Sequence, residues 1–211
     1  MKAMLVDEAQ RLVWSDVADP VVGDGEVLIE IHCAALNRAD LLQRQGKYPS
    51  PPGCPPWMGL EVSGVVVATG KGAKRWRMGD RVCALLGGGG YAQYVAVPEA
   101  MVMPIPAGLD FAEAASLPEA YATCYLNLFH EGQFQPGETL FFPAGASGLA
   151  SVGIPMAKAF GAYVITSVLT ADLCARIAHL GADRIVDLSR ETTADVIRAE
   201  AEAGHPVDVA I

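Results

Sequence analysis

No stretch of this chain reaches the ~18 uninterrupted apolar residues that a membrane-spanning helix needs, although 52% of its 211 residues are hydrophobic. The expectation is therefore no membrane partner. Basic residues are scarce: 15 Lys and Arg stand against 24 Asp and Glu, giving a formal net charge of −9 with no basic stripe. That balance argues against nucleic acid as a partner. The five cysteines (Cys33, Cys54, Cys83, Cys124 and Cys174) include no C-x-x-C pair and read as reduced, small apolar side chains. The N-terminus, MKAMLVDEAQ, lacks the apolar core of a signal peptide, so the default expectation is a cytoplasmic location. Internal repeats are absent. Low complexity is confined to Gly87 to Gly90 and the proline-rich run from Pro49 to Pro56.

What is present begins with ETLFFPAGASGLASVGIPMAKAFGA, Glu138 to Ala162. A short apolar run, Thr139 to Phe142, meets a turn of small residues, Ala144 to Gly148, and an amphipathic helical pattern follows as far as Gly161. Strand, tight turn and helix together form the physical recipe for holding a dinucleotide pyrophosphate. Backbone N–H groups approach the phosphates, and the helix start supplies positive partial charge. The alternation continues with a strand over Tyr163 to Val168 and a helix over Ala171 to Leu180, capped by Thr170 and ended by Gly181. A third strand is read over Arg184 to Leu188, then a helix capped by Thr192 or Thr193 and ending near Gly204, then a strand over Val207 to Ile211. The strands start about 21 to 24 residues apart. That βαβ rhythm implies a parallel sheet with right-handed crossovers, and the 52% hydrophobic content suits a sheet buried on both faces. A dinucleotide domain needs two further strands, so the expectation is a fragment of a longer protein, with the nicotinamide pocket completed beyond Ile211.

The first ~120 residues follow another pattern. Strand-like runs at Lys2 to Val6, Val27 to Cys33, Val62 to Ala68, Arg81 to Leu85 and Ala92 to Val97 are separated by Gly, Pro and Asp. They predict an irregular antiparallel barrel, interrupted by a helix over Asn37 to Arg44. Composition shifts near Asp110 to Ala120, giving two expected domains, 1–118 and 119–211.

The runs ALNRADLLQRQGKYPSPPG (Ala35 to Gly53), GLEVSGVV (Gly59 to Val66) and GDRVCALLGGGGYAQYVAVPE (Gly79 to Glu99) resemble the quinone oxidoreductase branch of the medium-chain dehydrogenase/reductase superfamily. Within it the chain is most similar to the tumour-suppressor-inducible, zeta-crystallin-like subgroup. The resemblance implies an α/β chain: a GroES-like β-barrel domain followed by an incomplete Rossmann domain, a doubly wound parallel sheet. Zinc-binding members carry a cysteine where Asn37 stands and a histidine where Leu60 stands. Glu61 alone cannot supply the three or four ligands zinc requires, so no metal is expected and Glu61 takes a structural role.

On the same resemblance, Tyr48 matches an active-site tyrosine and is the candidate donor to a developing oxyanion; as a bare residue it reads equally as a surface tyrosine. Asn37 is either a polar anchor beside the nicotinamide, an N-cap, or both. Thr123 matches a threonine that contacts the nicotinamide end. The pyrophosphate is expected over Ala146, Ser147, Gly148 and Leu149, with Ser167, Thr170 and Arg190 completing the cofactor set. Gly87 to Gly90 reads as a flexible turn, with a lid over the substrate as the sharper alternative. Three features depart from the family. Ala150 replaces the last glycine of the phosphate loop, and its methyl is expected to push the helix outward. Pro155 is expected to kink that helix. Leu173 and Leu188 stand where relatives carry a lysine and a tyrosine toward the adenosine phosphate, leaving Arg190 or Arg176 as substitutes. The implied cofactor is NADPH, modestly favoured, with NADH as the alternative. Three functional readings remain: an NADPH-dependent quinone reductase, an enoyl or alkenal reductase, and a truncated, catalytically impaired dinucleotide-fold protein. The implied partners are a small-molecule quinone or enone and, in the full-length protein, a second copy as a homodimer.

Overall fold

The computed structural model describes residues 1–211, which divide into two compact units, Met1–Glu119 and Ala120–Ile211. The first unit contains β1 (Lys2–Val6), β2 (Leu12–Asp16), β3 (Glu26–Ala34), α1 (Arg38–Arg44), β4 (Glu61–Thr69), β5 (Arg81–Leu85), β6 (Tyr94–Pro98), β7 (Val102–Pro104) and α2 (Phe111–Ala115). Five strands form an antiparallel sheet in the order β6-β3-β4-β5-β7. Alternate residues supply its core: Val27 and Ile29 from β3, Val62 and Val66 from β4, Val82 and Ala84 from β5, Val95 and Val97 from β6. Period-two burial of β-branched side chains holds the register, because a one-residue slip would turn this set to solvent. Two register shifts between β3 and β4 bend the sheet. The β1–β2 hairpin joins through a bridge from Ala3 to Ala92.

Gly87 to Gly90 is not a flexible turn. Gly88, Gly89 and Gly90 are buried under the proline-rich loop. A Cβ on Gly87 would lie 2.5 Å from Cys54 Sγ, on Gly88 2.6 Å from Ser50 Oγ, and on Gly89 2.8 Å from Pro55 Cγ. Backbone and indole hydrogen bonds between Trp57 and Gly89 fasten the two layers, at 2.8 and 3.2 Å. Glycine is needed here for close approach of two backbones.

In the second unit, α3 (Pro118–Tyr125) leads into a wider π-type turn over Leu126–Glu131. Then come β8 (Thr139–Phe142), α4 (Gly148–Ala159), β9 (Tyr163–Val168), α5 (Ala171–Ile177), β10 (Arg184–Asp187), α6 (Thr193–Glu202) and β11 (Val209–Ala210). The four strands are parallel in the order β10-β9-β8-β11. That is the 3-2-1-4 order of a doubly wound dinucleotide sheet. Neighbouring residues of one strand face opposite layers. Leu140, Phe142 and Val164 pack with Ala150, Ile154 and Ala157 of α4, while Phe141 and Ile165 pack with Val196 of α6. Both faces are covered, which explains the near-continuous apolar strands.

Helix α4 continues through Pro155, which lies on its exposed face. The Ser151 carbonyl, which loses its helical donor to Pro155, belongs to an exposed residue, so the lost bond is not a buried one. Ala150 is fully buried in the core between helix and sheet. The close approach falls at Gly153, where a Cβ would overlap the Phe142 ring and lie 3.1 Å from Cys124 Sγ.

Candidate functional site

The turn between β8 and α4 is built for close backbone approach. Ala144 takes a left-handed conformation (φ 53°), a strained choice for a residue with a Cβ. It is held there by neighbours: Gly145 N–H donates to the Ser167 carbonyl at 2.8 Å, and Ser147 N–H donates to the Ala144 carbonyl at 2.8 Å. A Cβ on Gly145 would overlap Thr166 Oγ1, whose own hydroxyl is fixed to the Phe142 carbonyl at 2.6 Å. Ser147 caps α4, its Oγ accepting from Ala150 N–H at 3.1 Å. The N–H groups of Gly148 and Leu149 find no acceptor within the chain. In front of Gly148 there is open space, with nothing within 4 Å of where a Cβ would stand. Unpaired donors at an open helix start fit an anion.

Two cavities flank this turn and share Ala144 and Ser147 in their walls. One, of about 290 Å³, is lined by Thr123, Cys124, Asn127, Leu149 and Ile211 among others. The other, of about 260 Å³, is lined by Ala146, Ser167, Val168, Leu169, Leu173 and Leu188. Two compartments meeting at a turn with unpaired N–H groups is the layout that a dinucleotide needs. The structure thus brings Thr123, Ala146, Ser147, Leu149 and Ser167 together around the turn, with Gly148 at the helix start. Thr170 begins α5, exposed and without a side-chain capping bond. Arg190 is elsewhere: it pairs with Asp187 at 3.4 Å and lines a separate depression with Cys174, Arg184 and Glu191. Arg176 is exposed in the last turn of α5 and lines neither cavity.

In the first unit, Asn37 precedes α1 and belongs to a buried polar network. Its Nδ2 donates to Glu61 Oε1 at 2.9 Å, and Glu61 Oε2 accepts from the Glu119 N–H at 2.8 Å. Glu61 is buried, and desolvation raises its carboxyl above the usual range despite those two donors. The Asn37 N–H donates to Asp40 Oδ2 at 2.7 Å, the same oxygen that accepts from the Tyr91 hydroxyl at 2.7 Å. Burial, then the bond to Asp40, push the Tyr91 hydroxyl well above its ordinary value, so it stays a donor. Asp40 and Tyr91 escaped the sequence reading. The N-x-x-D spacing of Asn37 and Asp40 was the available signal, since that spacing closes a helix start. Tyr48 is 43% exposed in the loop after α1. Gln43 Nε2 steadies that loop by donating to Ser50 Oγ at 2.9 Å.

No group of three or more His, Cys, Asp or Glu is arranged to hold a metal ion. At the positions considered for zinc, Asn37 gives its amide protons to Glu61, and Leu60 is a buried apolar side chain.

Comparison with known proteins agrees with this geometry. Residues 23–107 match the alcohol dehydrogenase GroES-like domain. A quinone oxidoreductase-like protein 2 homolog of Nematostella vectensis is 37% identical over 191 residues, covering 89% of this chain and 52% of the relative. A 2-methylene-furan-3-one reductase of Solanum lycopersicum is 37% identical over 193 residues, covering 86% of this chain and 50% of the relative. The crystal structure of a Pseudomonas syringae quinone oxidoreductase superposes with a TM-score of 0.82 at 30% identity, covering 95% of this chain and 62% of that one. The chain thus spans about half the length of the curated relatives named here. The GroES-like unit, the 3-2-1-4 parallel sheet and these likenesses show that the chain belongs to the quinone oxidoreductase branch of the medium-chain dehydrogenase/reductase family.

Proposed function

We propose that this chain is part of a nicotinamide-dependent oxidoreductase that reduces a quinone-like acceptor by metal-free hydride transfer. The observation that carries the reading is the pair of cavities joined at the β8–α4 turn, with unpaired N–H groups at the start of α4. Bound there, the reduced nicotinamide supplies a hydride, converting a quinone to the hydroquinone anion, which takes a proton from solvent. The chain's own residues bind and orient. Gly148 and Leu149 N–H groups receive the pyrophosphate, while Ala144, Gly145 and Thr166 keep the turn in shape. Thr123 and Asn127 line the compartment assigned to the nicotinamide end. Within the first unit, we assign Tyr48 as the hydroxyl that donates to an acceptor's developing oxyanion. Asn37 is its polar companion, fixed by Glu61 and Asp40. The resemblance favours NADPH over NADH, and the choice is made at the adenosine side.

A second reading, reduction of an enone carbon–carbon double bond, is favoured by the 37% identity to a 2-methylene-furan-3-one reductase. Steady-state turnover of a longer version of the protein with a benzoquinone and with a 2-alkenal separates the two. Faster quinone turnover supports the first reading, and alkenal turnover alone replaces it with the second.

A further inference from the structure

We infer that the adenosine-side cavity is made for an unphosphorylated ribose, so that this chain takes NADH in preference to NADPH, with Leu173 and Leu188 setting the choice. The inference rests on the nicotinamide-dinucleotide reading above. The cavity is walled by Ala146, Val168, Leu169, Leu173 and Leu188, and no charged side chain lines it. A 2′-phosphate carries a charge of roughly −1.5 to −2 near pH 7. Placed against leucines it would lose hydration without gaining a cation.

The arginine nearest in sequence does not repair this. Arg190 is 3.4 Å from Asp187 and faces the depression formed with Arg184 and Glu191. Bonds from Ser189 hold the Asp187 carboxyl below the usual range, and Arg190 adds to the effect, so that partner stays ionised. Moving Arg190 to the cavity would break the pair with Asp187.

The cavity does contain a group suited to a neutral ribose. Ser167, a residue more than nine-tenths buried, lines the cavity, and its carbonyl is held by the Gly145 N–H. Its hydroxyl, donor and acceptor at once, is a group that a neutral ribose hydroxyl can pair with and that offers a phosphate no positive charge. The apolar walls then enclose the adenine.

Calorimetric titration of the 211-residue chain with ADP-ribose and with its 2′-phosphorylated form tests this without hydride transfer. ADP-ribose should bind on the order of tenfold more tightly. Leu173→Lys should tighten the phosphorylated probe by about tenfold while moving ADP-ribose by less than about twofold, because a charge-assisted phosphate contact is gained and the neutral ribose is left alone. Tighter binding of the phosphorylated probe by the unaltered chain would overturn the inference and leave the dinucleotide reading standing. Saturable binding of neither probe would overturn both. A Leu173→Lys chain with unchanged preference would overturn the role given to Leu173.

Discussion

Replacing Ala150 by glycine should weaken this protein. The opposite follows if its methyl were forcing α4 off the sheet, because glycine would then relieve strain. Ala150 is fully buried among Leu140, Phe142 and Ile154. Losing its methyl removes about 0.8 kcal/mol of apolar burial, and glycine in a helix interior costs a further ~0.5–1 kcal/mol. The expected loss is therefore about 1.5 kcal/mol, partly offset where the site collapses. Gly153→Ala should also destabilise, for the opposite reason: the added Cβ would sit 2.7 Å from Phe142 Cζ, and overpacking of this kind costs about 1–3 kcal/mol. Urea unfolding followed by circular dichroism reads both, through midpoints compared at unchanged slope. An Ala150→Gly chain as stable as the parent, or more so, would refute the assignment of the close helix–strand contact to Gly153.

Three further outcomes follow from the first unit. Because Glu61's folded carboxyl titrates above its unfolded value, its favourable contribution is complete below the unfolded value. That contribution is lost as pH rises through the raised folded value. Glu61→Gln should flatten this fall in stability across mildly acidic pH, and an unaltered pH profile would show that the carboxyl is not perturbed. Tyr48→Phe in a longer, active version should lower kcat by on the order of 10²–10³, the cost of losing one oxyanion donor; unchanged quinone turnover would remove Tyr48 from the chemistry. Elemental analysis of untagged protein should find zinc well below one per chain, since Asn37 and Leu60 provide no ligand; one tightly held zinc per chain would contradict that.

The sequence made the second unit legible because its sheet is buried on both faces. Each strand is a short run rich in apolar residues, and α4 and α6 carry a side-chain cap that the sequence shows. Of the two threonines that the pattern offered, Thr192 caps α6 with its Oγ and Thr193 is the first helical residue. The first unit was harder. β2 is mostly exposed, so its side chains carry no inward alternation, and β7 is three residues long and ends in proline. The glycine run looked mobile because composition cannot reveal the second backbone packed against it. Gly153 was missed for a related reason: motif spacing marks where a glycine is usual, whereas the ring that requires one here, Phe142, is known only from the packing. Asp40 and Tyr91, 51 residues apart, meet through tertiary structure that no local pattern encodes.

The most direct test of the central claim is an amide-resolved NMR titration of the 211-residue chain with ADP-ribose. Saturable shifts should concentrate at Ala146, Gly148 and Leu149 and at the lining residues Ser167 and Leu173, with a Kd below about 1 mM, equivalent to ~4 kcal/mol of binding. Absence of saturable shifts at the β8–α4 turn, or shifts confined to residues outside it, would contradict the claim that this turn is the dinucleotide site.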